Sequence, residues 1–594
     1  MLRFLSGVLA ASLAAAAFAQ DDAVVVTATR FPQQRSQTLQ PVTVITAEDI
    51  AESGQQTLLE VLQSLGGVEV ASNGGFGQPS SVFMRGANAG HTLVLVDGMR
   101  MGSATTGATA LENIPLSQIE RIEVVPGELS SLYGSEAIGG VIQIFTRGAV
   151  HGPAASASAG IGSFDTSSMT GGLQRQLGDT TFSVSAGYFD TAGFDATKPA
   201  AFGHNADRDP YRNGSVSAKL ANQWRGGHEI GATVFRSEGT THFDSGPASD
   251  DVNAQTLSSY SLYSRDQLTG SWRSLVRAGE STDDSTVQGA FPGFFTTRQP
   301  QLTWQNDIVV GPGTAIAGVE YLAQHVASDT AYTKTYRDVR AAFAGYTGTS
   351  GRHSWQANLR QDDNSQFGSH TTGLAGYAFA LTPALRARAA LATAFKAPTF
   401  NDLYFPGFSN PDLRPERSRS REIGLNYQSA AQRLSATYFD NRISELIVLD
   451  PTFTPQNLAR ARITGTELAY ELFAGPWHAR ARATFQDPVD DEAGTLLPRR
   501  ARQHASLALA RAAGRWKLGG ELVANGARFD QAGEDPATRM HGYALVNLTA
   551  SYALSRALSL RARWNNVFDR DYELVQNFNT PRSNVFVALR YQTP

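Results

Sequence analysis

The chain of 594 residues contains no cysteine. That excludes a disulfide framework and thiolate metal centres, though by itself it does not fix the compartment. Charge is sparse: Asp, Glu, Lys and Arg make up 18%, against about 25% in ordinary soluble domains. The 50 basic and 54 acidic residues nearly cancel, so the balance gives no support to a nucleic-acid partner. Beyond Ala19 no run approaches ~18 uninterrupted apolar residues, which argues against a helical membrane protein. Catalytic signatures are missing as well. There is no G-x-S-x-G elbow and no P-loop, and "HEIGA" (His228 to Ala232) starts like a zinc-protease motif but lacks the second histidine. An enzyme is not expected.

What is present begins with "MLRFLSGVLAASLAAAAFA", Met1 to Ala19. One basic residue, an apolar stretch and Ala17-Phe18-Ala19 have the layout of a secretory signal peptide with its cleavage site. The apolar run is shorter than the ~20 residues a membrane-spanning helix needs. Export without cysteine or membrane helices leaves a soluble secreted protein or an outer-membrane β-barrel.

From Gln40 to Arg147 the pattern mixes helix and strand. "TLLEVLQSL" opens on a capping box, Thr57 to Glu60, which satisfies two orphan backbone donors. Leu58, Val61, Leu62 and Leu65 recur at helical spacing, and Gly66 is the expected stop. "TLVLVDG" (Thr92 to Gly98) reads as a buried strand closed by an Asp-Gly turn, and "GGVIQIFTR" (Gly139 to Arg147) as a second. After His151 strict alternation takes over. "TTFSVSAGYFD" sets Phe182, Val184, Ala186 and Tyr188 against Thr181, Ser183, Ser185 and Gly187. "ALSLRARWNNVFD" sets Leu558, Leu560, Ala562 and Trp564 against Ser559, Arg561, Arg563 and Asn565. Alternating segments of ~10 residues with no helical layer to cover them are the mark of a lipid-facing barrel, here of about 22 strands. Lipid tolerates no open sheet edge, so the sheet must close. A barrel so wide leaks unless filled, and the preceding α+β unit is the available filler.

Specific stretches add a resemblance. "DAVVVTATRF", "FMRGANAGHTLVLVDGMR" and "IERIEVVPGELSSLYGSEAIGGVIQIFTR" in order, then "RQDDNSQFG" (Arg360 to Gly368), "FKAPTFNDLYFPGFSNPDLRPERS" (Phe395 to Ser418) and "NNVFDRDYE" (Asn565 to Glu573), resemble a TonB-dependent outer-membrane transporter. Within that family the similarity is greatest to the cobalamin-transporting branch. The resemblance implies a signal peptide (1–19), a TonB-box segment and linker (20–37), a plug (38–150) and a transmembrane β-barrel (151–594), in a monomer surrounded by outer-membrane lipid and lipopolysaccharide. It implies TonB with its inner-membrane energising complex and cobalamin as partners, and admits a periplasmic cobalamin-binding protein downstream. A ferric-siderophore or haem receptor on the same scaffold is the alternative, and a passive porin or adhesin barrel a distant one. Haem receptors carry a histidine within the region matching Thr399 to Ser409, where this chain has none. His91 and His370 remain as isolated candidates for iron.

The resemblance also assigns residues. Asp22, Ala23, Val24, Val25, Val26, Thr27 and Ala28 match the TonB box, a strand that pairs with TonB in the periplasm. The β-branched run favours extended backbone, added-strand pairing supplies affinity, and Pro32 stops the strand from extending inward. The competing reading makes Val24 to Val26 the first strand of the plug. Apical plug loops, Ser72 to Ser81 and Gly102 to Thr109, are implied to touch substrate through Asn73, Phe76, Gln78, Ser80, Ser103, Thr105, Thr106 and Thr109. Two acidic loops carry Asp190, Asp195, Asp207, Asp209, Asp244, Asp250 and Asp251. Calcium takes six to eight oxygen ligands, and Asp195, Asp207, Asp209, Asp244 and Asp250 stand where the cobalamin branch binds it. One departure is the carboxyl end. Family barrels finish on an aromatic residue, whereas here three residues follow Tyr591, so Phe586 and Tyr591 are expected to serve instead.

Overall fold

A computed structural model describes residues 24–148, 154–247, 249–450 and 452–593. The signal-peptide segment, Asp22 and Ala23 lie outside these residues. Twenty-two antiparallel strands, from Ala155–Gly162 to Asn584–Gln592, form a closed barrel in which the first pairs with the last. Alternation decides which way each residue points. Val184 and Tyr188 are 44% and 46% exposed on the outside, while Ser183 and Ser185 are buried inside. Leu560 and Trp564 likewise face outward and Arg563 inward. The sheet is therefore apolar toward lipid and polar toward its lumen.

The two rims differ. At one, strands are joined by two- to four-residue turns such as 178–179, 226–227, 311–312 and 381–384. At the other, most connections are longer, including 192–210, 397–415, 491–502 and 566–583. Short turns on the periplasmic side and long loops outside are the usual arrangement of such barrels.

The lumen is filled by the α+β unit. Its five-stranded mixed sheet runs Thr43–Thr46, Ile119–Pro126, Gly140–Thr146, Thr92–Val96 and Met99–Met101 in spatial order. Ile45, Leu58, Leu62, Val94, Ile122 and Ile142 form its core. The Thr57 hydroxyl accepts from the Glu60 N–H, completing the expected capping box. The helix that it starts widens into a π-turn over Leu62–Gly66 and stops one residue later than the sequence suggested, at left-handed Gly67 (φ 74°). Asp97 and Gly98 both have positive φ, 50° and 83°, as a two-residue hairpin turn requires.

Plug and barrel meet across a polar seam. Arg85 is buried over the Phe439 ring and is held by Glu422 and by Glu467, 2.8 Å away. Glu69 accepts from Gln486 at 3.0 Å and from the Ala501 N–H at 2.7 Å. Asp97 pairs with Lys219 at 2.7 Å. Main-chain carbonyls of Ser64, Asn113 and Arg100 accept from barrel serines 506, 237 and 281. A polar lumen can be filled without desolvation loss only if its groups find such partners.

Removing one partner of a buried ion pair strands the other, at a cost of about 3–5 kcal/mol. Arg85→Ala should therefore loosen the plug and leave the barrel folded. Limited proteolysis in detergent is expected to cut the variant's plug faster than the parent's, with the heat-modifiable barrel band unchanged. Equal digestion rates would mean that Arg85 does not hold the plug.

Candidate functional site

The first described residues lie at the short-turn rim. Val24–Val25 pair with Gln33–Gln34 in a small ribbon of their own and take no place in the five-stranded plug sheet. Val25 and Ala28 are fully buried against Leu132, Tyr133 and Leu374, whereas Val24 is 49% exposed. The segment's backbone is held by one carboxylate. Glu123 accepts from the Val26 N–H at 3.0 Å, the Thr27 N–H at 2.9 Å and the Thr27 hydroxyl at 2.7 Å. Tyr133 donates its hydroxyl to the Thr27 carbonyl at 3.0 Å. Arg30 then anchors the turn. It donates to the Leu132 carbonyl at 2.6 Å, stacks over Phe343 and pairs with Glu320 of the barrel, which also holds Arg360. A strand cannot be added to Val26 and Thr27 while their N–H groups are bound to Glu123.

At the opposite rim, both glycine-rich plug loops face the long connections. The segment around Phe76 packs under loop 192–210. A Cβ on Gly74 (φ +111°) would lie 2.6 Å from that of Ala196, so only glycine permits this approach. Phe76 lies 5.5 Å from the Phe189 ring, and Gln78 donates to the His242 carbonyl at 2.6 Å. Both side chains are buried in the seam, and Asn73 is half-buried. Ser80 bonds to Glu112, whose carboxyl is pushed up to about 8 by burial. In the second loop the hydroxyls of Ser103 and Thr105 are 2.6 Å apart, and Thr109 donates to the Met101 carbonyl. Thr105 is buried under 397–415, where the Asn401 N–H bonds its carbonyl, while Thr106 is exposed.

The acidic loops converge. Carboxylate oxygens of Asp207, Asp209 and Asp244 lie within 4.8 Å of one another, and Asp195, His204 and Asp244 form an adjoining group of the same tightness. Asp209 is pushed up to about 7, chiefly by burial and then by Asp244, Asp207 and Asp195, with the Ala196 N–H opposing at 2.7 Å. Asp195 and Asp207 are also raised, burial again leading. Three mutually repelling carboxylates sharing so few donors suit a hard cation. Of the remaining acids, Asp250 sits 2.7 Å from His242, Asp190 pairs with Arg212 outside the wall, and Asp251 is capped by Ser245 and Ser249. Sequence reasoning did not single out Glu123, Tyr133, Glu320 or His204. In the sequence Glu123 is simply one acid within the stretch IERIEVV.

The two candidate iron histidines have other surroundings. His91 is fully buried in the seam, 2.8 Å from Glu416, and accepts from the Asn88 N–H through its other nitrogen. His370 stacks on Phe395.

A plugged lipid-facing barrel with a tethered strand at its inner mouth and ligand-sized loops outside defines a gated outer-membrane receptor. Family comparison agrees: residues 34–141 match the TonB-dependent receptor plug domain, and 154–567 the TonB-dependent receptor-like β-barrel. The chain belongs to the TonB-dependent receptor family, and its place is the outer membrane. It is 34% identical over 582 residues to the vitamin B12 transporter BtuB of Vibrio vulnificus, covering 93% of this chain and 92% of that one. To the vitamin B12 transporter BtuB of Photobacterium profundum it is 29% identical over 586 residues, 96% of each. Among solved structures, the ferric enterobactin receptor PfeA of Pseudomonas aeruginosa superposes with a TM-score of 0.81 at 19% identity, covering 96% of this chain and 100% of that one. The siderophore receptor PirA of Acinetobacter baumannii gives 0.81 at 18%, with the same coverage. At that identity these two speak for the fold alone.

A cysteine-free chain offers a clean background for a single probe. With a nitroxide on Val24→Cys, Glu123→Ala should convert an immobilised spectrum to a mobile one, because buried donors left unpaired cost about 1–3 kcal/mol. A spectrum as immobile as the parent's would remove Glu123 from the latch.

Proposed function

We propose that this receptor imports vitamin B12 (cobalamin) and related corrinoids across the outer membrane, powered through TonB. The observation that carries the reading is the 34% identity to a vitamin B12 transporter over almost the whole chain. The apical loops fit the role. Small and amide side chains around Asn73, Ser80, Ser103 and Thr106 let backbone approach a bulky, amide-rimmed ligand, while Phe76, Gln78 and Thr105 set the loops' positions from the seam.

Calcium is part of the proposal. Asp207, Asp209 and Asp244 form the core of its site and Asp195 the edge, with Asp250 near enough to add to the field on Asp207. A bound cation would neutralise the cluster and fix loop 192–210, which rests on Gly74 of the plug. Ordering outside would thereby reach the apical loop.

The outer membrane has no nucleotide and no sustained gradient, so work must arrive from the inner membrane, where one charge crossing 100 mV is worth about 2.3 kcal/mol. TonB would deliver it by pairing with Asp22 to Ala28 once Glu123, Tyr133 and Glu320 release that segment. Among rival ligands, haem is disfavoured by the lack of a histidine from Thr399 to Ser409 and by the engagement of His91.

Equilibrium binding to the purified receptor of cyanocobalamin, a ferric siderophore and haemin decides the ligand. Cyanocobalamin is expected to bind selectively; preferential binding of either iron compound would overturn the reading. For calcium, Asp207→Ala with Asp209→Ala should weaken cyanocobalamin binding about as much as chelation weakens it in the parent. A double variant whose binding is as strong as the parent's in calcium, and unchanged by chelator, would remove the metal from the account.

A further inference from the structure

We infer that an arginine field on the outer wall, carried by strands Glu416–Gln428, Gln432–Leu449 and Pro455–Ala474, is a binding site for the phosphate groups of an outer-leaflet glycolipid. These strands are neighbours. Their registers place Arg419 opposite Arg442, and Arg442 opposite Arg462, in one continuous row. The row toward the outer rim reads Arg417, Ser444, Arg460, and the row below reads Arg421, Asp440, Thr464. With neighbouring strands about 4.8 Å apart and a rise of about 3.4 Å per residue, six arginines occupy a patch of about 10 Å by 14 Å. All but the partly covered Arg462 are exposed.

Two carboxylates stand among these six cations. Asp440 is 3.2 Å from Arg462 and 3.5 Å from Arg442, and Asp491 borders the groove. Among the described residues the side chains of Arg417, Arg419, Arg421 and Arg460 have no ion-pair partner. Like charges directly opposite on adjacent strands are destabilising; Asp440 is shared by two arginines of the middle row, and the excess of positive charge around it calls for an anion from outside the chain. Elsewhere on the wall, Arg212 is paired with Asp190 and Arg236 with Glu238.

Position names the source of the anion. Directly beneath the arginines, the same outer face carries exposed Ile423, Leu425, Tyr438 and Leu434, the apolar band that meets lipid chains. The arginines therefore sit at the headgroup level of the outer leaflet, continuous with lipid. A groove of about 570 Å³, lined by Thr371, Thr393, Arg417, Arg419, Arg442 and Arg460, runs along the patch. Guanidinium forks match phosphate geometry bidentately, and hydroxyls of the flanking threonines can bond sugar.

The test uses the full-length receptor in detergent, with bound lipid counted by native mass spectrometry. The probes are bis-phosphorylated lipid A, its dephosphorylated form and inorganic phosphate. Because basic residues near an anionic lipid surface each add to its attraction, Arg419→Gln, Arg442→Gln and Arg462→Gln together should weaken lipid A binding at least about tenfold. Dephosphorylation should weaken binding to the parent to a similar degree. The paired control, Arg212→Gln with Arg236→Gln, should retain parental affinity, and cyanocobalamin binding should not change. Parental affinity in the triple variant would overturn the assignment. So would equal binding of dephosphorylated lipid A, which signifies acyl contact alone, or displacement by inorganic phosphate at the concentration of the lipid, which signifies a free-ion site. If the triple variant does not fold, the comparison of the two lipids on the parent decides.

Discussion

Lipid offers a backbone amide no hydrogen bond. An extended chain that enters the membrane must therefore pair every strand edge, and closing the sheet is the one way to do so. The rest of this molecule follows from that closure. With apolar side chains committed to the outside, alternation leaves serines, threonines, glutamines and charged groups inside. Twenty-two strands enclose too wide a lumen for those side chains to fill. A second folded unit must occupy it, and its surface must supply donors and acceptors rather than grease.

That requirement explains the character of the seam. Many of the contacts between plug and wall are hydrogen bonds or ion pairs, each with a net worth of about 1 kcal/mol, or somewhat more when charged. A hydrophobic interface of the same extent would resist any partial movement. A polar one can be opened stepwise, with water replacing each lost partner. The leading segment is attached in the same currency, through Glu123, Tyr133 and the Arg30–Glu320 pair. The leading segment and the plug are thus joined by contacts that can be exchanged for water one at a time. At the other rim, the acidic loop 192–210 rests on Gly74 through Ala196, so outside and inside are connected through one small domain.

Much of this was legible in the sequence because it is written at short range. Period-two alternation gave the barrel and its inside-out polarity. Thr57 and Glu60 announced a helix start, and Asp97-Gly98 a hairpin. The acidic loops were visible as clusters, and four of the five expected aspartates fall in the two adjoining groups that share Asp244. What stayed hidden depends on distant pairing. Nothing local tells that Glu123 will meet Thr27, or that Glu320 will meet Arg30 across 290 positions. Phe76 and Gln78 read as open loop residues until the wall at Phe189 and His242 is placed over them. The helix stop moved from Gly66 to Gly67 because a π-turn inserts a residue that no periodicity reports. The arginine field is a case of its own: each residue reads as one polar member of a strand, and only the register brings Arg419, Arg442 and Arg462 into one row.

The central claim is that the segment at the inner mouth is the handle by which the lumen is opened. Uptake of radiolabelled cyanocobalamin by cells whose receptor lacks Val24 to Ala28 tests it most directly, with surface binding measured in parallel. The account predicts normal binding and accumulation no faster than in cells without the receptor. Accumulation at the parental rate would contradict it.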